Sequence, residues 1–391
     1  MKFMDEAKYL LKQNIRDYGM YVALAVIMMI FTATTGGLFI SSRNISNLIN
    51  QTGYIAVLAV GMTLIIVIRH IDLSVGYLAG FLGAIAAILL TKAGAPVYLT
   101  ILVVLVLGTL IGLFNGYLVA YVGIPAFVAT LAGMLAFRGA LLLVTEETGT
   151  IIVPNKSFNA IGNGFIPDIA HIPGIHLLTL LIGALAIVFY IYSEFNVRKN
   201  KIKYNFEVIS FKMFILKLVL VSSIIAYVTW ILSGYNGLSW TVVIVIIVVA
   251  IYHVITTKTP LGRYIYAVGG NPEAAKLSGI DVSKITLIVF GSMGLLSALS
   301  GILYTARLQS ATTTAGTLFE LDAIAAAYVG GVSAAGGVGK VTGSIVGALV
   351  MASLINGMNL MGVGISYQYI IRGAVLAAAV IFDVKTRNKS R

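Results

Sequence analysis

The chain has no cysteine and few charged residues, and each shortage excludes whole classes of protein. None of the 391 residues is a cysteine, which excludes a disulfide framework, a thiolate nucleophile and a cysteine-ligated metal. Charged residues make up 10% of the chain, against about 25% in soluble domains. Apolar residues make up 59%, and the mean hydropathy is +0.99. This composition excludes a disordered protein, a coiled coil and an ordinary soluble enzyme, and it indicates a polytopic membrane protein.

Acidic residues are scarce as well, since 14 Asp and Glu stand against 26 Lys and Arg. Most of the basic residues fall in four segments, namely 2–16, 198–217, 258–284 and 385–391. Because positively charged flanks are retained in the cytoplasm, all four segments are predicted to be cytoplasmic. The net charge of +12 is then explained by cytoplasmic loops, and no nucleic-acid partner is expected.

The apolar runs between these segments predict about twelve transmembrane helices in one domain of residues 1–391, with both termini in the cytoplasm. The predicted spans are 18–40, 50–69, 73–91, 97–121, 124–144, 175–192, 213–233, 239–257, 285–306, 320–338, 341–361 and 366–383. Repeated small residues such as Gly343 and Gly347 predict close helix packing. The expected fold class is an all-α polytopic membrane protein.

No combination of residues indicates catalysis, a metal site or a cofactor. The stretch GGVSAAGGVGKVTG at 330–343 resembles a phosphate-binding loop, but Ala334 and Val341 break the required pattern. His171 and His176 are five residues apart, which is not the spacing of a helical metal pair, and no acidic cluster accompanies them. We therefore expect neither an enzyme nor a metal or cofactor site.

Ionisable residues near the membrane interior are costly and so carry information. Arg69, His70 and Asp72 form a polar break between the second and third predicted spans. Asp72 is interpreted either as a cap on the third span or as part of a gate. Arg138 and Arg372 are interpreted as side chains that extend to the membrane surface. No chain of buried carboxylates of the kind that proton pumps use is evident.

The loop at 258–284 is the most informative segment. Within it, Asn271 is a cap, Pro272 suits a first helical position and Glu273 complements the helix dipole, so a short helix is predicted to begin here and to stop at Gly279. Its apolar residues are Ala274, Ala275, Leu277 and Ile280. A short exposed helix with an apolar face is expected to dock on a partner, for which a cytoplasmic ATPase is a natural candidate. The alternative is a helix that lies flat on the lipid surface.

The residues Glu273-Ala274-Ala275 followed by Gly279 resemble the EAA-x-x-x-G coupling motif of permeases of bacterial ATP-binding cassette importers. The wider stretch GRYIYAVGGNPEAAKLSGI is similar to the version in monosaccharide permeases of the ribose, xylose and galactose class. Further stretches at 62–76, 114–139 and 319–358 resemble the same class. An additional basic loop and helical pair at 193–240 resembles the xylose-type layout, whereas Arg69-His70 departs from the small or acidic residues of many relatives.

The resemblance implies a type II-like importer permease. Its partners would be a second copy of the chain, a cytoplasmic ATPase subunit, an extracytoplasmic sugar-binding protein and membrane lipid. The residues implied in ATPase coupling are Gly262, Arg263, Gly269, Asn271, Glu273, Ala274, Ala275 and Gly279. The residues considered for the pore or gate are Asp72, Asn115, Gln309 and Asn356.

The function predicted from the sequence is import of a monosaccharide, with D-xylose expected first, through the cell membrane. Other monosaccharides, namely galactose, glucose, arabinose and ribose, remain alternatives within this class. An ATP-independent secondary carrier and a structural or enzymatic membrane subunit are the competing interpretations from other classes.

Overall fold

A computed structural model describes residues 15–146 and 149–388. The helices are α1 Ile15–Thr34, α2 Ser42–Val67, α3 Val75–Thr91, α4 Val97–Tyr117, α5 Ala126–Thr145, α6 Lys156–Asn163, α7 Leu177–Lys203, α8 Phe211–Ser233, α9 Trp240–Lys258, α10 Pro260–Gly270, α11 Pro272–Leu277, α12 Val282–Leu308, α13 Phe319–Val329, α14 Val341–Leu360 and α15 Ile365–Asn388. Four short strands are β1 Thr150–Ile152, β2 His171–Ile172, β3 Ile175–His176 and β4 Ser310–Thr312. The predicted cytoplasmic residues Lys2, Lys8, Lys12, Lys389 and Arg391 lie outside the described residues.

Within the described ranges, nine helices are long and apolar enough to cross a membrane, namely α2, α4, α5, α7, α8, α9, α12, α14 and α15. The apolar helices in α1 and α3 are shorter. The prediction of one continuous span over 320–338 is wrong, because α13 ends at Val329 and a glycine-rich loop follows. Its 11 residues reach about 16 Å, roughly half of the hydrocarbon core. The helical membrane architecture is confirmed, while the count of twelve spans stays a prediction.

Two helices, α2 and α12, form the centre of the bundle. In their most apolar windows 83% and 72% of the residues are buried, against 6% in α15 and 11% in α7. The helix α12 packs against α2, α3 and α4, and α14 packs against α2 and α13. The helices α7 and α8 form a hairpin in which Lys217 Nζ donates to Glu194 Oε1 over 2.8 Å. Exposed apolar side chains cover the outer surfaces of α7, α8 and α15.

Small residues bring the central helices into backbone contact. A Cβ atom added to Gly294 of α12 would lie 2.7 Å from the Cα atom of Gly112 in α4. In the same way, an added Cβ on Gly343 or Gly347 of α14 would overlap a backbone oxygen of Gly330 or Ala326 at the end of α13. The predicted role of Gly343 and Gly347 in close packing is therefore confirmed.

The strands mark one end of the bundle, here called the strand end. Strands β1 and β4 pair antiparallel, with Ile151 opposite Ala311, and β4 directly follows α12. The 27 residues of α12 cover about 40 Å, and α10 and α11 precede its opposite end.

Near β3, burial opposes the ionisation of Asp168, but backbone N–H groups of Leu178 and Leu177 donate to its carboxylate over 2.8 Å and lower its pKa below the usual value.

Candidate functional site

The segment 258–284 forms two short helices, where the sequence predicted a glycine-punctuated loop with one helix. The first, α10, begins where Thr259 Oγ1 accepts the N–H of Gly262 over 3.3 Å and Pro260 fills the first turn. The second, α11, begins where Asn271 Oδ1 accepts the N–H groups of Glu273 and Ala274, both over 3.1 Å. The predicted cap at Asn271 is confirmed, and the extra helix forms because its apolar side packs on the core.

Gly279 ends α11 by a conformation that other residues avoid. Its φ is +83°, in the left-handed region. Around it the N–H of Ile280 donates to Ala275 O and the N–H of Gly279 donates to Lys276 O, both over 3.0 Å. These are the two hydrogen bonds of a Schellman motif, which satisfy carbonyls at the helix end. The predicted stop at Gly279 is therefore confirmed, with a backbone reason for the glycine.

The apolar residues of α11 divide between two environments. Ala275 is buried against the bundle and Ile280 is half-buried, whereas Leu277 is 91% exposed. Ala274 and Glu273 are exposed beside it. Glu273, Ala274 and Leu277 form the exposed side of this capped helix, here called the contact surface of α11.

Helix α10 packs directly against Val67, the last residue of α2. A Cβ atom on Gly269 would overlap the carbonyl oxygen of Val67 and would lie 2.8 Å from the backbone nitrogen of Gly337. The N–H of Gly337 itself donates to Val67 O over 2.8 Å, and Tyr266 Oη donates to Gly339 O over 2.6 Å. Three separate parts of the sequence therefore meet here with no space for side chains between them.

Arg69 makes hydrogen bonds across this junction. Its Nε donates to Gly269 O over 2.6 Å and its Nη2 donates to Gly270 O, which are the last carbonyls of α10. A cation at a helix C-terminus is favoured by the helix dipole and by charge-assisted hydrogen bonds. Arg69 itself has a φ of +66°, which few non-glycine residues adopt, in the turn that follows α2. The sequence showed Arg69 as a departure from relatives, and its partner 200 residues away could not be found from local pattern.

The break between α2 and α3 contains a buried chain of hydrogen-bonded polar side chains, here called the relay. Asp72 Oδ1 accepts the N–H of Ser74 over 2.9 Å and its hydroxyl over 2.6 Å, and Asn115 Nδ2 donates to Ser74 Oγ over 3.2 Å. All three residues are buried. Asp72 thus holds the residue that precedes α3, but it accepts no N–H of the helix itself and so does not cap α3 as predicted. The structure brings together Asp72 and Asn115 from the predicted pore set. The role of Asp72 as a gate stays a prediction.

The start of α13 faces the start of α3. A Cβ atom on Gly76 would overlap Glu320 Oε2, so this carboxylate lies against the first turn of α3 while standing in the first turn of α13. Glu320 is buried, and its Oε2 accepts no hydrogen bond from the described residues. The two helix N-termini favour a negative charge at this place, whereas burial opposes it. Helices broken inside the bundle are typical of transporters.

The other two predicted pore residues lie elsewhere. Gln309 ends α12 with a φ of +55°, and its carbonyl accepts the N–H of Val153 over 2.8 Å at the strand end. Asn356 exchanges two hydrogen bonds with Asn44, over 2.8 and 3.1 Å. Asn356 also lines a cavity of about 190 Å³ between α2, α13, α14 and α15. The interpretation of Arg372 as a residue that extends to the membrane surface is wrong, because it lines this cavity and pairs with Asp322.

Comparison with known proteins places these features in a family. The model of the family described as branched-chain amino acid transport system / permease component matches residues 44–380. The xylose transport system permease protein of Escherichia coli (strain K12) is 40% identical over 96% of this chain and 94% of its own length. The corresponding protein of Haemophilus influenzae is 40% identical over 96% of this chain and 98% of its own length. The ribose import permease protein of Haemophilus influenzae is 36% identical over 93% of this chain and 91% of its own length.

No solved structure matches the chain. The family model covers most of the sequence, and the relatives are permease subunits rather than enzymes. The chain therefore belongs to this family of permease components of transport systems and is a membrane-embedded transport subunit.

Proposed function

We propose that this chain is the permease subunit of an ATP-driven importer of monosaccharides in the inner or plasma membrane, with D-xylose as its substrate. The observation that supports this most is the contact surface of α11, which presents Glu273, Ala274 and Leu277 at one end of the bundle. Relatives named as xylose and ribose permeases support the substrate class, and identity is higher to the xylose permeases. Ribose and the other monosaccharides are the alternative substrates.

In this proposal a cytoplasmic ATPase subunit binds α11, and the segment 258–284 is the coupling loop. Arg263 is exposed on α10, one helix away, and extends the same surface. Gly262 and Gly269 allow α10 to lie against the ends of α9 and α2. A displacement of α11 is passed through α10 to Arg69, and from Arg69 to the short chain that leads to Asp72. The ATPase thereby acts on the break between α2 and α3.

The remaining partners follow from the same proposal. Both termini and the basic segment 198–217 are cytoplasmic, so the strand end faces outward and receives sugar from an extracytoplasmic binding protein. A second copy of the chain completes the pathway, and lipid covers the exposed apolar faces of α7, α8 and α15. Residues 1–391 form one transmembrane domain, in which 193–240 is the helical pair added to the ribose-type plan.

Reconstitution tests the proposed function. The permease is inserted into proteoliposomes with its ATPase, the sugar-binding protein is supplied outside, and uptake of radiolabelled D-xylose is measured. We expect uptake that requires ATP inside the vesicles and that unlabelled ribose or glucose inhibits less than xylose does. Uptake driven by a proton or sodium gradient without the ATPase would overturn the proposal in favour of a secondary carrier.

Variants of α11 test the coupling surface. We expect three substitutions to abolish sugar-stimulated ATP hydrolysis while membrane insertion stays normal. Leu277→Asp places a charge on the exposed side of α11, and Gly279→Asp replaces the glycine in the left-handed turn that ends it. Glu273→Arg reverses the charge that the helix dipole favours at the N-terminus of α11. Phe206→Asp is the matched control, because Phe206 is also exposed, in the loop between α7 and α8. Normal stimulated hydrolysis in all three α11 variants would show that the ATPase docks elsewhere.

A further inference from the structure

The half of the bundle nearer the strand end contains a polar cavity that the coupling geometry does not use. About 190 Å³ of space lies between α2, α13, α14 and α15. Gln51 of α2 lines it and lies about 24 Å from Val67 along the helix axis, at 1.5 Å per residue. The cavity is therefore well separated from the junction at Arg69.

A charged pair with unused hydrogen-bonding capacity lines this cavity. Arg372 Nη1 lies 3.6 Å from Asp322 Oδ2, which is beyond a good hydrogen bond, and the two side chains are 22% and 15% exposed. The Nε of Arg372 is buried and has no hydrogen-bond partner among the described residues. A charge pair removed from water is costly unless further hydrogen bonds satisfy its donors and acceptors. A hydroxyl-rich ligand would supply those hydrogen bonds.

Two aromatic rings also line this cavity and belong to one aromatic cluster. The ring of Tyr54 lies 4.9 Å from that of Phe319 and 5.0 Å from that of Tyr304, measured between centroids. Tyr54 and Phe319 line the cavity, together with Gln51. The Tyr54 hydroxyl and the Gln51 amide make no hydrogen bond with the described residues. The lining thus offers ring faces for C–H groups beside free donors and acceptors for hydroxyls.

Size and charge narrow the class of ligand. Drug-sized molecules occupy pockets of roughly 300–1,000 Å³, so this cavity suits a single small ring. The carboxylate and the guanidinium balance each other, so no excess charge favours an anion or a cation. Hydroxyl groups can donate to Asp322 and accept from Arg372 at the same time. A neutral, compact polyhydroxyl compound fits these conditions.

We propose that this cavity is the permease's own binding site for a neutral monosaccharide of pentose size. Asp322 and Arg372 bind adjacent hydroxyl groups, Gln51 binds at the rim, and the rings of Tyr54 and Phe319 contact the C–H face of the sugar. This inference rests on the proposed function and adds to it a binding site for the sugar within the permease itself. The position toward the strand end agrees with arrival of the sugar from that side.

Two measurements test the site. In the first, saturation-transfer NMR records D-xylose binding to the purified permease in lipid nanodiscs, with neither the ATPase nor the binding protein present. We expect a saturable signal that is lost in Asp322→Asn and weakened in Gln51→Ala. No saturable signal from the unaltered chain would overturn the site.

In the second, xylose uptake is measured in the complete importer. Asp322→Asn, Arg372→Lys and Gln51→Ala are expected to lower uptake at least about tenfold, about tenfold and severalfold, while basal ATP hydrolysis is retained. Asn47→Ala is the matched control, because Asn47 is an exposed amide one turn before Gln51 and does not line the cavity. Gln51 is exposed at the rim, so its variant reports on the site even where the buried variants fail to fold.

The outcomes separate the two proposals. Import by the unaltered protein together with unchanged import by the Gln51 and Asp322 variants overturns the binding site and leaves the proposed function standing. Failure of ATP-driven import by the unaltered protein overturns the proposed function, and the NMR measurement then decides the site by itself.

Discussion

Replacement of Arg69 by methionine removes the hydrogen bonds between the end of α2 and α10 while keeping a long apolar side chain. The variant loses two charge-assisted hydrogen bonds, to Gly269 O and Gly270 O. Such bonds contribute about 1.5–3 kcal/mol each when buried, but Arg69 is largely exposed, so we expect a combined loss of about 1–2 kcal/mol. This loss corresponds to a factor of roughly 5–30 in the equilibrium between the closed junction and a locally opened one.

Amide hydrogen exchange, followed by mass spectrometry on the permease in nanodiscs, measures this opening directly. Peptides from 260–280 are expected to exchange about 5–30 times faster in Arg69→Met, whereas peptides that contain β1 and β4 are unchanged. Arg69→Lys should fall between, because an ammonium keeps the charge at the helix end but lacks the planar fork of donors. Arg43→Met, at the opposite end of α2, is the control that removes an arginine from the same helix.

Two results would refute this reasoning. Unchanged exchange over 260–280 in Arg69→Met would mean that Gly269, Gly337 and Val67 hold the junction by packing alone. Faster exchange over the whole chain would mean that the substitution destabilises the bundle rather than the junction.

Three further outcomes follow from other contacts. Gly269→Ala should destabilise the protein by about 1–3 kcal/mol in thermal unfolding, because the added Cβ would overlap Val67 O. Gly270→Ala should be nearly neutral, because a Cβ added there would meet nothing within 4 Å. A double-mutant cycle of Asn44→Ala and Asn356→Ala should give an interaction energy of about 0.6–1.7 kcal/mol, and additivity would contradict the paired amides. Asp168→Asn should lower thermal stability above about pH 4, where the unaltered protein has an ionised Asp168. The difference in stability between variant and unaltered protein should disappear as the pH falls through the lowered pKa of Asp168, and a difference that persists in acid would contradict this prediction.

The parts that could be predicted from the sequence depend on neighbouring residues. Asn271 caps α11 and Gly279 ends it through hydrogen bonds that reach at most five positions along the chain, so local residue types are enough to predict them. The membrane class likewise follows from composition, because each spanning helix satisfies its own backbone hydrogen bonds and needs only apolar side chains.

The prediction over 320–338 failed because hydropathy alone cannot distinguish a short helix plus an uncharged loop from a full span. The glycine-rich chain after Val329 carries no charged residue before Lys340, but it turns at Gly331 with a φ of +88°. Its backbone polar groups find partners in the protein, as when Gly337 donates to Val67 O, and this makes an irregular chain tolerable at that place.

The sequence by itself determined the class of protein, most of its spans, the short capped helix α11 and the family resemblance, since composition, periodicity and caps act over short distances. Only the tertiary structure decided that Arg69 holds the end of α10, that Arg372 turns inward to Asp322, and that Asn115 joins the relay of Asp72. Each of these contacts joins residues from about 40 to 200 positions apart. Such contacts arise from the packing of whole helices, and packing selects partners by position in space rather than by order along the chain.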